Sequence, residues 1–241
     1  MQLASVRKEN ASIIKVFEDY SLLRRLLIEA LAKDLRGSDQ ELILVLKSLD
    51  ECFEQIFKHG LELHMERSSE GLQRLADTDA MTGLFNVRHF ERRLHENLEM
   101  FNRYQIPFSM MMIDIDGMKQ LNDTEGHQMG DRALIHLAQI MTSQKRETDI
   151  AVRHGGDEFF LLMPGISSGD AESVAERIIN DVNLIHESTG GREMSSVSIG
   201  VVSCPENGTE AGLLRARADK ALYLAKRMGG GSVARCREGE K

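Results

Sequence analysis

The segment at residues 153–160, RHGGDEFF, places two adjacent carboxylates directly after a pair of glycines. Apolar runs on both sides predict a β-hairpin whose turn at Gly155 and Gly156 presents Asp157 and Glu158 at its tip. Glycine permits positive φ angles and the close approach of a ligand. Acids at such a turn suit a hard cation such as Mg²⁺, which takes oxygen ligands and brings substrate phosphates with it. For this segment alone, an ordinary turn with solvated acids is the alternative.

A second acidic pair follows the apolar segment 108–113, which predicts a short strand. The strand leads into Asp114, Ile115 and Asp116. Because side chains alternate along a strand, the two acids share one face and Ile115 points into the core. If this strand neighbours the hairpin, Asp114 and Asp157 come together around one divalent ion.

The polar segment 119–131 carries side chains that can recognise a purine base. Asparagine offers a carbonyl and an amide, and aspartate offers two acceptors for the N–H donors of guanine. The segment is therefore a candidate for reading the edge of guanine. A polar turn capped by Asn and Asp is the alternative for this piece in isolation.

From about residue 77, predicted helices and strands alternate along the chain, and these elements must position the candidate residues. Besides the hairpin and the first strand, the pattern predicts helices at 129–142, 171–185 and 213–228 and a strand at 195–202. This order predicts an α+β domain over residues 77–241, with a central antiparallel-rich sheet covered by helices.

Residues 1–76 predict a separate all-α region. A first helix over 11–35 ends at the break 36–38, and Ser38 with Glu41 has the spacing of a capping box that begins a second helix. In the second helix, apolar residues recur every seven positions at Leu42, Leu49, Ile56 and Leu63. The stripe predicts a helical hairpin that buries one face against itself or against a partner chain. His59 and His64, five positions apart, do not share a face, so packed or solvated histidines are favoured over a metal or haem site.

Composition excludes several classes of function. The chain has 241 residues, 41% of them hydrophobic, a net charge of −8 and a pI near 5.5. The acidic balance argues against non-specific binding of a nucleic-acid polymer. The three scattered cysteines fit a reducing compartment without disulfides. Because no apolar run approaches membrane-spanning length and no signal peptide is recognisable, a cytoplasmic location is expected.

Four separate motifs make the chain resemble the GGDEF domain of the diguanylate cyclase family. The signature turn GGDEF is intact at 155–159. The domain-opening motif occurs at 79–86 as DAMTGLFN, with methionine in place of the usual leucine. The family pattern D-I-D-x-F-K-x-x-N-D-x-x-G-H-x-x-G-D matches residues 114–131, and D-K-A-L-Y-x-A-K matches 219–226. The resemblance covers about residues 77–233 and leaves the N-terminal helices outside.

The resemblance implies a fold like that of nucleotidyl cyclases and polymerase palm domains. It also implies an enzyme, a diguanylate cyclase that condenses two GTP into cyclic di-GMP with release of two pyrophosphates, using Mg²⁺ or Mn²⁺. Carried over to this sequence, the metal ligands are Asp114, the backbone carbonyl of Ile115, Asp157 and Glu158. Asp157 is also the group that promotes deprotonation of the ribose 3′-hydroxyl, with Glu158 beside it.

The other residues that the resemblance assigns to GTP surround the base and the phosphates. Asn122 and Asp131 read guanine in this assignment. The phosphates and the nucleotide are contacted by the backbone or side chains of Gly117, Met118, Lys119, Gly155, Gly156 and Lys226. Asp79 and Arg153 resemble a structural ion pair that ties the start of the domain to the hairpin.

A dimer and a product-binding site also follow from the resemblance. Because each domain is expected to bind one GTP, the reaction needs a homodimer with two sites face to face. The N-terminal helices either set how often the sites meet or serve as a passive dimerisation stalk. Arg146 and Asp149 form an Arg-x-x-Asp motif at the spacing of the family's inhibitory cyclic di-GMP site, and Arg177 is placed to join it. An i,i+3 surface ion pair is the alternative.

Two departures from the family pattern bear on activity. Gly230 replaces an arginine expected to help hold the triphosphate, a role that Arg227 or Lys226 could take over. Gly117 and Met118 stand where x-Phe is usual, which weakens the predicted packing near the phosphates. The rival interpretation is therefore a catalytically weak module that acts as a receptor for cyclic di-GMP or GTP. A helical interaction protein with an incidental nucleotide fold ranks far below it.

Overall fold

The computed structural model describes residues 15, 21–30, 39–190, 192 and 194–236. The chain divides into two compact units, Met1–Gly71 and Leu72–Lys241. The predicted boundary after residue 76 lies a few residues further along. Both boundaries fall inside one long helix.

The N-terminal unit is helical wherever it is described. Helix α1 is described over residues 21–30, and α2 runs over Asp39–Asp77, continuing into the second unit. An ion pair between Arg24 and Asp50 joins the two helices. Most of the predicted first helix, its break and its capping residue lie outside the described residues.

The predicted apolar stripe of α2 is largely exposed in the single chain. Ile56 is 64% exposed and Leu63 is 43% exposed. The side chains of Leu42 and Leu49, like that of His64, lie outside the described set. An uncovered apolar stripe on a long helix is the surface that a second helix would bury.

The C-terminal unit is built on a six-stranded sheet. The strands are β1 (Phe85–Asn86), β2 (Phe108–Asp116), β3 (Ile150–Gly155), β4 (Glu158–Pro164), β5 (Ser196–Cys204) and β6 (Val233–Arg235). Their order is β1-β3-β4-β2-β5-β6. The three central pairings are antiparallel, whereas the edge strands β1 and β6 pair in parallel. The predicted antiparallel-rich α+β sheet is confirmed.

Helices cover both faces of this sheet. They are α3 (Val87–Tyr104), α4 (Met118–Glu125), α5 (His127–Gln144), α6 (Ser168–Thr189) and α7 (Ala211–Arg227). Strand β2 shows how the faces divide, since Met111, Ile113 and Ile115 pack with α5 and α6. Met110 and Met112 pack on the other face with α3 and α7. By the same alternation, Asp114 belongs to the α7 face, at the end of the strand where the core stops.

Some elements differ from the sequence-based expectation. Strand β2 extends through Asp116, beyond the predicted apolar segment 108–113, and contains Asp114, Ile115 and Asp116, as the predicted alternation requires. The segment 119–131 is mostly helical. Gly126, with φ +86°, is both the C-cap of α4 and the N-cap of α5, so no loop separates the two helices. Helices α3 and α4 and the short strands β1 and β6 were not predicted.

A buried acid fastens the end of α2 to α3. Asp77 is 7% exposed and accepts a hydrogen bond from Arg92 Nη2 at 2.7 Å. His89 Nδ1 lies 3.3 Å from the same oxygen. The Arg92 hydrogen bond holds the pKa of Asp77 below its usual value of 3.8, although burial acts in the opposite direction. An acid at a helix C-terminus is unfavourable with the helix dipole, so these partners compensate for its position.

We expect Asp77→Asn to lower the melting temperature at pH 7 by about 3–6 °C, because it removes hydrogen bonds to a charged group. Since the folded-state pKa of Asp77 is depressed, its contribution to stability is present above pH 3.8 and is lost as the pH falls through the folded-state pKa. The difference between the two proteins should therefore shrink at pH 3. Asp123→Asn, at an exposed position of α4, is the control in thermal melts. A difference that stays constant from pH 7 to pH 3 would contradict this account.

Candidate active site

The turn of the β3–β4 hairpin is held by an arginine. Arg153 donates to the carbonyl oxygen of Gly156 from Nε at 3.1 Å and from Nη2 at 2.8 Å. Its Nη1 lies 3.3 Å from Asp79 Oδ1, and the same Asp79 oxygen accepts from the backbone N–H of Thr82 at 2.9 Å. Gly156 has φ +56°, a conformation that favours glycine. Arg153 thus links the start of the domain to the acidic turn.

Asp114 lies next to the hairpin acids. In the strand register it faces Glu158 of β4 on one side and Ser198 of β5 on the other. It is 6% exposed, and Lys226 Nζ lies 2.7 Å from its Oδ1. Burial raises the pKa of Asp114 above its usual range, Lys226 acts in the opposite direction, and the charges of Asp157 and Asp116 add to the rise. Asp114 and Asp157 are therefore within electrostatic reach of each other.

The donor set suits a hard divalent cation that is shared with a substrate. Among the described residues, no three Asp, Glu, His or Cys side chains converge closely enough to hold a metal by themselves. The predicted ligands Asp114, Asp157 and Glu158 therefore do not form a closed cage. Mg²⁺ usually takes one or two carboxylates and completes its shell with substrate phosphates and water, so an open oxygen set fits it. The Lys226 ammonium beside Asp114 shows that this carboxylate already attracts a cation.

Asp116 organises the end of the sheet, and the sequence analysis gave it no role. Its carboxylate accepts from Ser196 Oγ and Ser198 Oγ, each at 2.7 Å, and from the backbone N–H of Gly231 at 2.8 Å. These bonds join β2, β5 and the loop after α7. The strand register pairs Asp116 with Ser196 and Asp114 with Ser198, and a single sequence does not show this register.

The loop after α7 has a backbone conformation that favours glycine at position 230, where the family has an arginine. Gly230 has φ +78°, and a Cβ atom there would lie 3.0 Å from Asp116 Oδ2. A side chain at this position would force the carboxylate or the loop to move. Arg227 lies with its guanidinium 5.9 Å from the centre of the Tyr223 ring. Of the two basic residues at the end of α7, Lys226 contacts the Asp114 carboxylate, whereas Arg227 lies over the Tyr223 ring.

The predicted guanine-reading residues lie on two adjoining helices. Asn122 is on α4 and is partly buried, whereas Asp131 is exposed on the first turns of α5. Lys119 is exposed in the first turn of α4, a helix that begins directly after Gly117. Met118 packs against the core in the position where the family has phenylalanine. These predicted phosphate and base contacts thus lie on or next to the adjoining helices α4 and α5, beside the end of β2, whereas Lys226 lies on α7 and Gly155 and Gly156 lie at the β3–β4 turn.

Arg146, Asp149 and Arg177 come together around a cavity of about 130 Å³. Asp149 is 4% exposed, and its Oδ2 accepts from the backbone N–H of Arg146 at 2.8 Å. Its Oδ1 is buried and lacks a hydrogen-bond partner. Arg177 Nε donates to Gln144 Oε1 at 2.8 Å, which orients its guanidinium. A buried acceptor without a donor, in a cavity lined by two arginines, is suited to a ligand that carries both N–H donors and negative charge.

The sheet and its acidic hairpin place this unit in the nucleotidyl-cyclase and palm-like class. A family model described as "Diguanylate cyclase, GGDEF domain" matches residues 76–232, more than half of the chain. The chain belongs to this family.

Relatives support the assignment over different parts of the chain. Diguanylate cyclase TpbB of Pseudomonas aeruginosa is 35% identical over 173 residues, which are 71% of this chain and 40% of TpbB. The chain thus spans less than half of that relative. The structure of diguanylate cyclase SiaD in complex with its activator SiaC, from the same organism, is 30% identical with a TM-score of 0.66 and covers 97% of this chain and 89% of that chain. The coiled coil and GGDEF domain of DgcB from Caulobacter crescentus, in complex with c-di-GMP, is 26% identical with a TM-score of 0.65 and covers 76% of this chain and 97% of that chain.

Within the part of the chain that the structure describes, none of the helices is both long enough and apolar enough to cross a lipid bilayer.

Proposed function

We propose that the chain is a diguanylate cyclase that joins two GTP molecules into cyclic di-GMP and releases two pyrophosphates. The observation that carries the proposal is the pairing of Asp114 with Glu158 in the strand register, beside the turn that presents Asp157. This arrangement sets acidic oxygens from two strands at one end of the sheet, next to the Lys226 cation. Phosphoryl transfer requires positioning and charge neutralisation more than covalent chemistry from the protein.

In this proposal, Asp114, the carbonyl of Ile115, Asp157 and Glu158 would hold Mg²⁺ or Mn²⁺. Bound there with the triphosphate, the ion supplies charge neutralisation at the phosphate under attack. Asp157 takes up the proton of the ribose 3′-hydroxyl. Lys226 and the metal ion would compete for the carboxylate of Asp114. When the metal and the nucleotide bind, Lys226 would therefore leave Asp114 and pair with the phosphates.

The remaining residues orient GTP. Asn122 and Asp131 contact the guanine edge, with the carboxylate accepting from the N–H donors of the base. Lys119 and the backbone at Gly117 and Met118 face the phosphates. The glycines at 155 and 156 allow the nucleotide to approach the hairpin closely.

The reaction proceeds across a homodimer, because each domain binds one substrate and each nucleotide attacks the other. The exposed apolar stripe of α2 supports pairing of two chains through the N-terminal unit. The similarity to SiaD, which was solved with an activator protein and covers nearly the whole of this chain, supports a regulatory role for that unit. A passive stalk is the competing proposal.

Product feedback acts through the Arg146, Asp149 and Arg177 cavity. The unpaired Oδ1 of Asp149 accepts from a guanine N–H, and the two arginines meet the phosphates or the Hoogsteen edge of cyclic di-GMP. The surface ion-pair alternative is weakened because Asp149 is buried and bonds to the Arg146 backbone.

Arg146→Ala should raise the cyclic di-GMP concentration needed for half-inhibition by about 10-fold or more, because it removes a charged, bidentate contact. The uninhibited initial rate should change little, since Arg146 lies outside the acidic site. Initial rates over a series of added cyclic di-GMP measure the effect. Arg132→Ala, at an exposed position of α5, is the matched control. An unchanged half-inhibition concentration would remove this site from the proposal.

The direct test of the function is incubation of the purified chain with GTP and Mg²⁺, followed by identification of the products by mass. One observation favours a second candidate, a receptor for cyclic di-GMP or GTP, namely the glycine at position 230 where the family carries an arginine. Binding of these nucleotides without formation of cyclic di-GMP would select the receptor.

A further inference from the structure

Helix α4 rests on α5 at a glycine that leaves no room for a side chain. Gly130 is buried in the first turns of α5. A Cβ atom at this position would lie 2.1 Å from Asn122 Oδ1 and 3.0 Å from Asn122 Cγ. It would also lie 3.0 Å from Met118 Cε. Contacts under 3.0 Å are not tolerated by real Cβ atoms, so one of the neighbours must move.

The two neighbours respond differently to such a contact. Met118 is a long, flexible side chain that can change rotamer at small cost. Asn122 is short, and its backbone is fixed because its carbonyl accepts from the N–H of Gly126 at 3.1 Å. The carboxamide of Asn122 can therefore escape a side chain at position 130 only by leaving its present place.

The contact also determines which end of the Asn122 carboxamide is available. Its Oδ1 is buried against Gly130 and has no hydrogen-bond partner. The amide nitrogen, a donor, is then the group left to meet a ligand. A donor complements the O6 carbonyl of guanine and opposes the amino group that adenine carries at the equivalent position.

We infer that Gly130 is a specificity-determining position for the nucleotide base, acting through Asn122. Because Gly130 has no side chain, the Asn122 carboxamide can pack against its Cα. In this position the amide donor of Asn122 faces the carbonyl of a bound guanine. Gly130 itself does not touch the substrate, so it is a positioning residue. This inference rests on the proposed function to the extent that the bound nucleotide is GTP.

The test uses the full chain with Gly130→Ala and two measurements, equilibrium binding of GTP and of ATP, and initial rates over a range of GTP concentrations. We expect the dissociation constant and KM for GTP to rise by about 10-fold, with a smaller change in kcat, because loss of a base contact acts mainly on binding. The preference for GTP over ATP should fall in parallel. Gly169→Ala, in α6, is the matched control, because nothing lies within 4 Å of a Cβ atom there.

A double-mutant cycle separates positioning from general damage. If Gly130 acts through Asn122, the variant that combines Gly130→Ala with Asn122→Ala should bind GTP as Asn122→Ala does alone. This double variant also lacks the clash with the Asn122 carboxamide, and the flexible Met118 side chain can move away, so it reports on the inference even if Gly130→Ala folds poorly. Full additivity of the two substitutions would overturn the inference. GTP affinity and selectivity of Gly130→Ala within twofold of the unsubstituted protein would do the same.

Binding and turnover distinguish failure of this inference from failure of the proposed reaction. If the unsubstituted chain binds GTP but forms no cyclic di-GMP, the proposed reaction fails while the binding comparison still decides the role of Gly130. If it binds ATP as tightly as GTP, the role of Gly130 in base selection is overturned whatever the turnover. If it binds neither nucleotide, both proposals are overturned.

Discussion

Asp114→Asn should lower the initial rate of cyclic di-GMP formation by about 10³-fold or more, with the fold retained, because it removes the charge of a proposed ligand to the ion that would stabilise the transferred phosphate. The fold should tolerate the change because burial already disfavours the charged form of Asp114, as its raised pKa shows. Asparagine has the same shape and remains able to accept a hydrogen bond from Lys226. The loss should therefore appear in catalysis and in metal-dependent GTP binding, and only weakly in the melting temperature.

Asp123→Asn supplies the matched control for this substitution. It makes the same chemical change at an exposed acid of α4 and should leave the rate within twofold of the unsubstituted chain. An Asp114→Asn protein that retains a tenth or more of the activity would remove Asp114 from the metal site. A protein that loses activity only because it unfolds would show the loss in its thermal melt.

The second large effect concerns dimerisation. Specific activity should fall in proportion to protein concentration once the chain is diluted below its dimer dissociation constant, since in the proposed reaction each domain binds only one of the two substrates. Ile56→Glu, on the exposed stripe of α2, should move this fall to about 10-fold higher protein concentrations or further, because it places a charge in an apolar interface. Initial rates over a dilution series measure both results.

Lys58→Glu is the control for the dimer interface, because it introduces the same side chain at an exposed polar position of α2. It should leave the concentration dependence unchanged. Specific activity that is constant on dilution while sedimentation shows monomers would contradict a two-chain reaction. If Ile56→Glu and Lys58→Glu shift the curve equally, the stripe is not the interface.

Elements with strong local signals could be predicted from the sequence. The β3–β4 hairpin follows from two apolar runs around Gly155 and Gly156, and α5, α6 and α7 have clear helical periodicity. The elements that were missed have weak or unused signals. Strands β1 and β6 have two and three residues, too few to show alternation. Helix α4 is mostly polar and has no buried residue. Helix α3 does carry a helical stripe, at Phe90, Leu94, Leu98 and Phe101.

The candidate site was predictable where it depends on local motifs and unpredictable where it depends on tertiary contacts. The hairpin acids, Asp114 and Lys226 follow from the family motifs, and the register places the strand acids side by side. The three hydrogen bonds of Asp116 join residues about 80 to 115 positions apart, so a single sequence does not reveal them. The contact between Asn122 and Gly130 depends on how α4 packs on α5 across Gly126, which is a tertiary feature.

The most direct measurement follows the products of GTP with the purified chain and Mg²⁺, with the Asp114→Asn protein assayed in parallel. Mass analysis should find cyclic di-GMP from the unsubstituted chain, with two pyrophosphates for each molecule formed, and essentially none from the variant. Equal yields from both proteins, or a chain that hydrolyses GTP or only binds it, would show that the acids at the end of this sheet do not perform the proposed condensation.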